Sequence, residues 1–92
     1  MRLTIEYWNQ ARSAAGCDGE KIEIAAGAAP VDVVRHLAER HGGRLRSLLL
    51  GADDQPRPST MVSINNELAP CRVMRPLHDG DVVALLLPIA GG

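Results

Sequence analysis

Side chains able to do chemistry are few and scattered in this 92-residue sequence. His36, His41 and His78 stand apart from Cys17 and Cys71 at spacings that suit no metal centre. His36 and His41 are five residues apart, off any one helical face. Asp53-Asp54 and Asp79-x-Asp81 lack the ordered oxygen ligands of a cation loop, and Asp79-Gly80 reads as a turn dipeptide. Ser13, Ser47, Thr60 and Ser63 stand in no nucleophile elbow, and no glycine loop would cradle a phosphate. The other group of interest is the chain end, where "LHDGDVVALLLPIAGG" stops on Gly91-Gly92 directly after an apolar run. A glycine pair there is either fray or a working end, and these residues alone leave both open.

Composition bounds the rest. With 46% hydrophobic and 23% charged residues, the chain reads as one globular domain with a core that needs no metal or disulfide. Ten Lys+Arg, scattered, are matched by eleven Asp+Glu, which leaves no basic footprint for nucleic acid. Tyr7 and Trp8 are the sole aromatics, so a base-stacking platform is excluded too. Lys21 is the single lysine, which limits self-conjugation. Cys17 and Cys71, in no CxxC, read as reduced thiols. No signal peptide opens the sequence and no apolar run approaches the ~18 residues of a membrane span, so the expected location is cytoplasmic.

The elements that must position any site follow from periodicity. Residues 2–8, "RLTIEYW", alternate, with Leu3, Ile5 and Tyr7 facing one way and Trp8 the other. "NQARSAAGCDG" breaks the pattern and reads as a loop, after which "KIEIA" (21–25) resumes it. A helix is predicted over 31–41, with Pro30 in its first turn, Asp32 complementing its dipole and Gly42-Gly43 stopping it. Val34, Leu37, Ala38 and His41 share one of its faces. A short second helix is expected over 44–50 and a polar loop over 51–60. Strands follow at 61–65, near 68–73 and at 82–87, with Asn65-Asn66 and Asp79-Gly80 as turns.

The order β-β-α-β-β-β places one main helix on one face of a mixed sheet of four to five strands, an α+β fold. The crossover rule makes the first and last strands central, parallel neighbours. The last strand is apolar on both sides. In a sheet covered on one face only, Val82, Ala84 and Leu86 then form an exposed patch with Trp8 beside it. Either residues 44–60 fold over that face or it docks a partner.

At this point the sequence resembles the β-grasp (ubiquitin-like) sulfur carriers of the MoaD/ThiS family, which includes the small subunit of molybdopterin synthase and the thiamine sulfur carrier. "LTIEYWNQARSAAG" is similar to the family's opening strand and turn, and "PVDVVRHLAERHGGRL" to its long helix. "VSINNELA" is similar to its Val-x-Val-Asn strand and turn, and "PLHDGDVVALLLPIAGG" to its Gly-Gly ending. Departures fall mainly on the partner side: Leu85 and Leu86 replace common aromatics, Leu87 replaces a proline, Val82 replaces an acid, and the 51–60 loop is long. The thiamine carrier is more compact, and the opening strand and turn favour the molybdopterin type.

The resemblance implies a function. The site would be the Gly92 carboxylate, adenylated by an ATP-using activating enzyme and converted to a thiocarboxylate, on a flexible tail, 88–92, that includes Ile89, Ala90 and Gly91. The family's binding positions fall on Trp8, Leu68 and Leu86, and its turn arginine on Arg12. The implied partners are that activating enzyme and a large synthase subunit or other sulfur acceptor, with no cofactor or metal bound by the carrier and no catalysis by it alone. The expectation is a sulfur carrier for molybdopterin synthesis. Its rivals are a carrier for thiamine or cysteine synthesis, a ubiquitin-like modifier, and an interaction module with an idle tail.

Overall fold

The fold was described from a computed structural model, which describes residues 1–87; the expectations for Ile89, Ala90, Gly91 and Gly92 lie outside the described residues. Alternation makes strand β1 of Arg2–Tyr7, whose Leu3, Ile5 and Tyr7 are buried. The stretch after it was expected to be all loop. Instead it holds a six-residue helix, α1 (Gln10–Ala15), pinned by the burial of Ala11 and ended by Gly16 at φ 77°. Strand β2 (Gly19–Glu23) then returns antiparallel to β1, placing Leu3 opposite Ile22 and Glu6 opposite Gly19.

Helix α2 (Pro30–His41) starts one residue earlier than the sequence suggests. Pro30 sits in its first turn, and the Asp32 carboxylate accepts the Ala29 N–H at 2.9 Å. Val33, Val34, Leu37 and Ala38 are its buried face. Gly42 and Gly43, at φ 61° and 47°, turn the chain into α3 (Gly43–Leu49), which buries Leu45 and Leu49.

Strands β3 (Met61–Ile64) and β4 (Glu67–Pro70) form a hairpin closed by Asn65 and Asn66, both at positive φ, as a two-residue primed turn requires. Strand β5 (Val82–Leu86) completes a five-stranded sheet of order β2-β1-β5-β3-β4. The pairing of β1 with β5 is parallel, with Tyr7 opposite Leu85, as the crossover rule predicts. The inward residues of four strands join those of α1, α2 and α3 in one core. Three helices therefore share the covered face, the main helix and the short second one that were expected and α1, which was not; β4 and β5 end earlier than their sequence patterns.

One glycine of the β1–β2 pair is required by close approach. A Cβ on Gly19 would lie 2.5 Å from the Ile5 carbonyl oxygen, a backbone atom that can yield only if the strands shift. Gly19→Ala is therefore expected to cost about 1–3 kcal/mol in urea denaturation. An unchanged midpoint would mean that this edge of the sheet is not closely packed.

Candidate functional site

The candidate site is the sheet face opposite the helices. Alternation along β1, β5, β3 and β4 brings Thr4, Glu6, Val82, Ala84, Leu86, Met61, Ser63 and Leu68 onto it. Residues 44–60 do not fold over it: α3 packs beside α1 and α2, with Leu45, Leu49 and Leu50 in the core on the far side of the sheet. Trp8, immediately after β1, is 47% exposed and Leu68, on the edge strand, 61% exposed. Leu86 is half-buried, paired across to Met61, while Tyr7 pairs with Leu85. The register thus brings Trp8 and Leu86 to the same end of the face, with Leu68 across β3. Aromatic and aliphatic anchors grouped on an exposed sheet are the material of a protein interface.

Arg12 stands apart from that group, on α1, where its Nε meets Asp18 Oδ1 at 3.1 Å and both side chains are largely exposed. Such a pair contributes little to stability. Cys17 is half-buried and Cys71 buried, both as free thiols. The two aspartates around Gly80 hold backbone. Asp79 Oδ1 accepts the Arg2 N–H at 2.7 Å, and Asp81 Oδ2 accepts that of His78 at 2.8 Å. Burial opposes the charge on Asp81, but the bonds from His78 and Asn65 outweigh it and hold its carboxyl below the ordinary range.

One titratable cluster was not legible in the sequence. Glu20, opposite Ile5 on β2, faces the helices, and its Oε2 accepts from the Tyr7 hydroxyl. His41 Nε2 lies 2.5 Å from the same oxygen, and Arg40 Nε donates to Oε1 at 2.7 Å. Because a carboxylate only accepts, the Nε2 of His41 must carry a proton. Burial disfavours the Glu20 anion, yet these three donors win and lower its pKa. Burial first, then the bond and charge of Glu20, push the Tyr7 phenol far above its usual value. These groups are turned toward one another, so the cluster ties β1, β2 and α2 together.

Two surface hollows flank the 51–57 loop, and their polar walls are likewise engaged. Arg46 pairs with Asp54 at 3.0 Å, Arg57 donates to the Ser47 carbonyl at 3.0 Å, and Arg72 donates to that of Pro56 at 2.7 Å. Among the described residues no group of three or more His, Cys, Asp or Glu is placed to hold a metal ion, and no helix is long and apolar enough to cross a membrane.

Residues 5–92 match the family model described as the ThiS family. Among solved structures, SAMP1 of Haloferax volcanii is similar over 100% of both chains at 23% identity and a TM-score of 0.84. A Pyrococcus furiosus protein put forward as subunit 1 of a molybdopterin converting factor is 25% identical, covering 97% of this chain and 99% of its own, with a TM-score of 0.75. The complex of subunits 1 and 2 of the molybdopterin-converting factor of Helicobacter pylori supplies a third similar chain, 20% identical over 100% of both, at a TM-score of 0.60. No curated protein matches the sequence. The β-grasp architecture expected from the sequence is thus the fold observed.

The Glu20 cluster has a pH signature. A carboxyl with a lowered folded pKa stabilises the protein fully above its unfolded value, about 4.3, and loses that contribution as pH falls through the folded value. Glu20→Gln is expected to cost about 1–3 kcal/mol at neutral pH and to remove part of the acid dependence. Urea titrations of both proteins over a descending pH series measure this. Coincident curves would show that the cluster contributes nothing.

Proposed function

This chain belongs to the ThiS family, and from that premise we propose that it is a sulfur carrier whose C-terminal Gly92 carries the sulfur as a thiocarboxylate. The supporting observation is that the family match extends from Ile5 in β1 to Gly92, so a single match spans both the strands of the exposed sheet face and the Gly-Gly end. The 25% identity to the Pyrococcus furiosus protein supports molybdopterin synthesis as the destination of the sulfur.

The chemistry suits the residue. A free α-carboxylate, with a pKa of about 3.5, is ionised at neutral pH and is a poor electrophile. Attack of its oxygen on the α-phosphorus of ATP expels pyrophosphate and gives an acyl adenylate. Sulfide-level sulfur, as hydrosulfide, then adds at the acyl carbon, the acyl–oxygen bond to AMP breaks, and loss of the proton leaves the thiocarboxylate. ATP belongs to the activating enzyme, so this chain needs no cofactor of its own and catalyses no step alone. Residues 88–92, about 17 Å if fully extended, are long enough to carry Gly92 into a partner's site. Gly91 and Gly92 have no side chains to obstruct a narrow channel, and Ile89 and Ala90 lead to them.

The partners in this reading are the activating enzyme and then a large synthase subunit, both docking on the face of Trp8, Leu68 and Leu86, while Arg12 stands apart from it on α1. All three act in the cytoplasm. The test is to treat protein from its own cells with a thiocarboxylate-selective reagent and sequence the C-terminal peptide by mass spectrometry. Label is expected on Gly92, and deletion of Gly92 is expected to abolish sulfur transfer while leaving partner binding intact. An unlabelled carboxylate, even after incubation with ATP and cell extract, would leave only an interaction module. Lysine-linked adducts of Gly92 on other proteins would mark a modifier.

A further inference from the structure

The open face carries two charges that have no partner among the described residues, Glu6 and Lys21. A cross-strand row through its middle runs Gly19, Glu6, Ala84, Ser63, Leu68. Glu6 is exposed and has no hydrogen-bond or ion-pair partner among the described residues. The two positions beside it are among the smallest possible. Ala84 presents only a methyl group, and Gly19 is kept bare by the Ile5 carbonyl oxygen, 2.5 Å from where a Cβ would stand. The next row on one side is apolar, with Leu86 and Met61 paired and Trp8 at its end.

None of the cations nearby pairs with Glu6. Lys21 lies in the row on the other side, opposite Thr4, and makes no ion pair with Glu6. Arg2 is paired with Glu23 at 2.9 Å, and Arg12 with Asp18. A partner that buries Trp8 and Leu86 must also strip water from Glu6. Removing an ionised carboxylate from water with no counter-charge is strongly unfavourable, whereas a paired one fixes orientation.

We propose that the protein partner covering this face presents a cationic side chain, an arginine by preference, that pairs with Glu6 and sets how the partner docks. The inference rests on the docking reading given above and adds the chemistry of the partner. The exposed, side-chain-free backbone at Gly19 leaves room beside Glu6 for a planar guanidinium to lie against the sheet and meet the carboxylate with two donors. Glu6 is then a specificity residue, since a partner with an acidic or purely apolar surface at that point is rejected.

The experiment uses the full-length protein and the adenylating enzyme of the same cells. Titration calorimetry across a salt series gives Kd, and ATP–pyrophosphate exchange reports on activation in the same mixtures. Glu6→Gln, a neutral isostere, is expected to raise Kd about tenfold and to flatten its salt dependence. Glu6→Lys is expected to weaken binding further. Trp8→Ala is expected to raise Kd while leaving the salt slope unchanged. An unchanged or lower Kd for Glu6→Gln overturns the proposal, as does absence of binding by the unaltered protein. So does a Lys21→Gln variant that reproduces the Glu6→Gln effect, because the pair would then be internal. Binding without exchange overturns the carrier reading alone, and the Kd comparison still decides the role of Glu6.

Discussion

Parallel pairing of the first strand with the last forces everything between them to leave the sheet and come back. In this chain α1, α2 and α3 all lie on one side of β1 and β5, and the core they close contains Leu3, Ile5, Tyr7, Val83 and Leu85. A right-handed crossover permits only one side for such a return. The other side is left bare, although β5 is a central strand with apolar residues on both faces. The exposed patch is therefore a consequence of topology and of the composition of one strand together. Ala84, expected in that patch, is in fact buried at 5% exposure among its larger neighbours, so the apolar surface left open on this side is carried by half-buried Leu86 with Trp8 and Leu68.

The joint at β1, β2 and α2 shows how the edge beside that face is held. Strand β2 has one neighbour, and an edge strand held on one side is the place where a sheet frays. Glu20 answers this by accepting from Tyr7, His41 and Arg40, which links the edge to the central strand and to the end of the main helix. Tyr7 is the residue before Trp8, so the same hydrogen bond that fixes the edge also fixes where the strand delivers its exposed aromatic. A buried network of this sort is favourable only when every member is satisfied, and here each donor finds Glu20.

The strands and α2 were legible because period 2 and period 3.6 are written in single residues: Leu3-Ile5-Tyr7, Val62-Ile64, Val34-Leu37-Ala38. Helix α1 was not. Six residues of mostly small side chains carry no clear period, and the packing of Ala11, Ala14 and Ala15 against the core, with the left-handed Gly16, holds them helical. The strand expected near 68–73 stops at Pro70: after one more bond, from the Cys71 N–H to the Thr60 carbonyl at 3.0 Å, the chain turns as the Val73 N–H donates to the Pro70 carbonyl at 3.1 Å. The docking positions Trp8 and Leu86 could be placed side by side from the crossover rule, because parallel adjacency of the first and last strands fixes them. The Glu20 cluster could not, since it depends on the β1–β2 register and on the rotation of α2 about its axis. Neither quantity leaves a mark in local sequence.

Two glutamates of this small sheet make the difference between its faces concrete. Glu20 points to the helices, where burial would drive it neutral, and three donors keep it ionised. Glu6, on the neighbouring strand, points the opposite way, and among the described residues nothing meets it. Water solvates Glu6 adequately while the face is bare, so the isolated protein has no need of a counter-charge there. Stability considerations alone would equally accept threonine, glutamine or serine at that position of β1. A carboxylate set between a glycine that cannot carry a side chain and an alanine, beside an apolar row, changes the energetics of the face only when something covers it. Its effect is on the bound state: partners without a matching cation lose affinity, while the fold itself is unaffected.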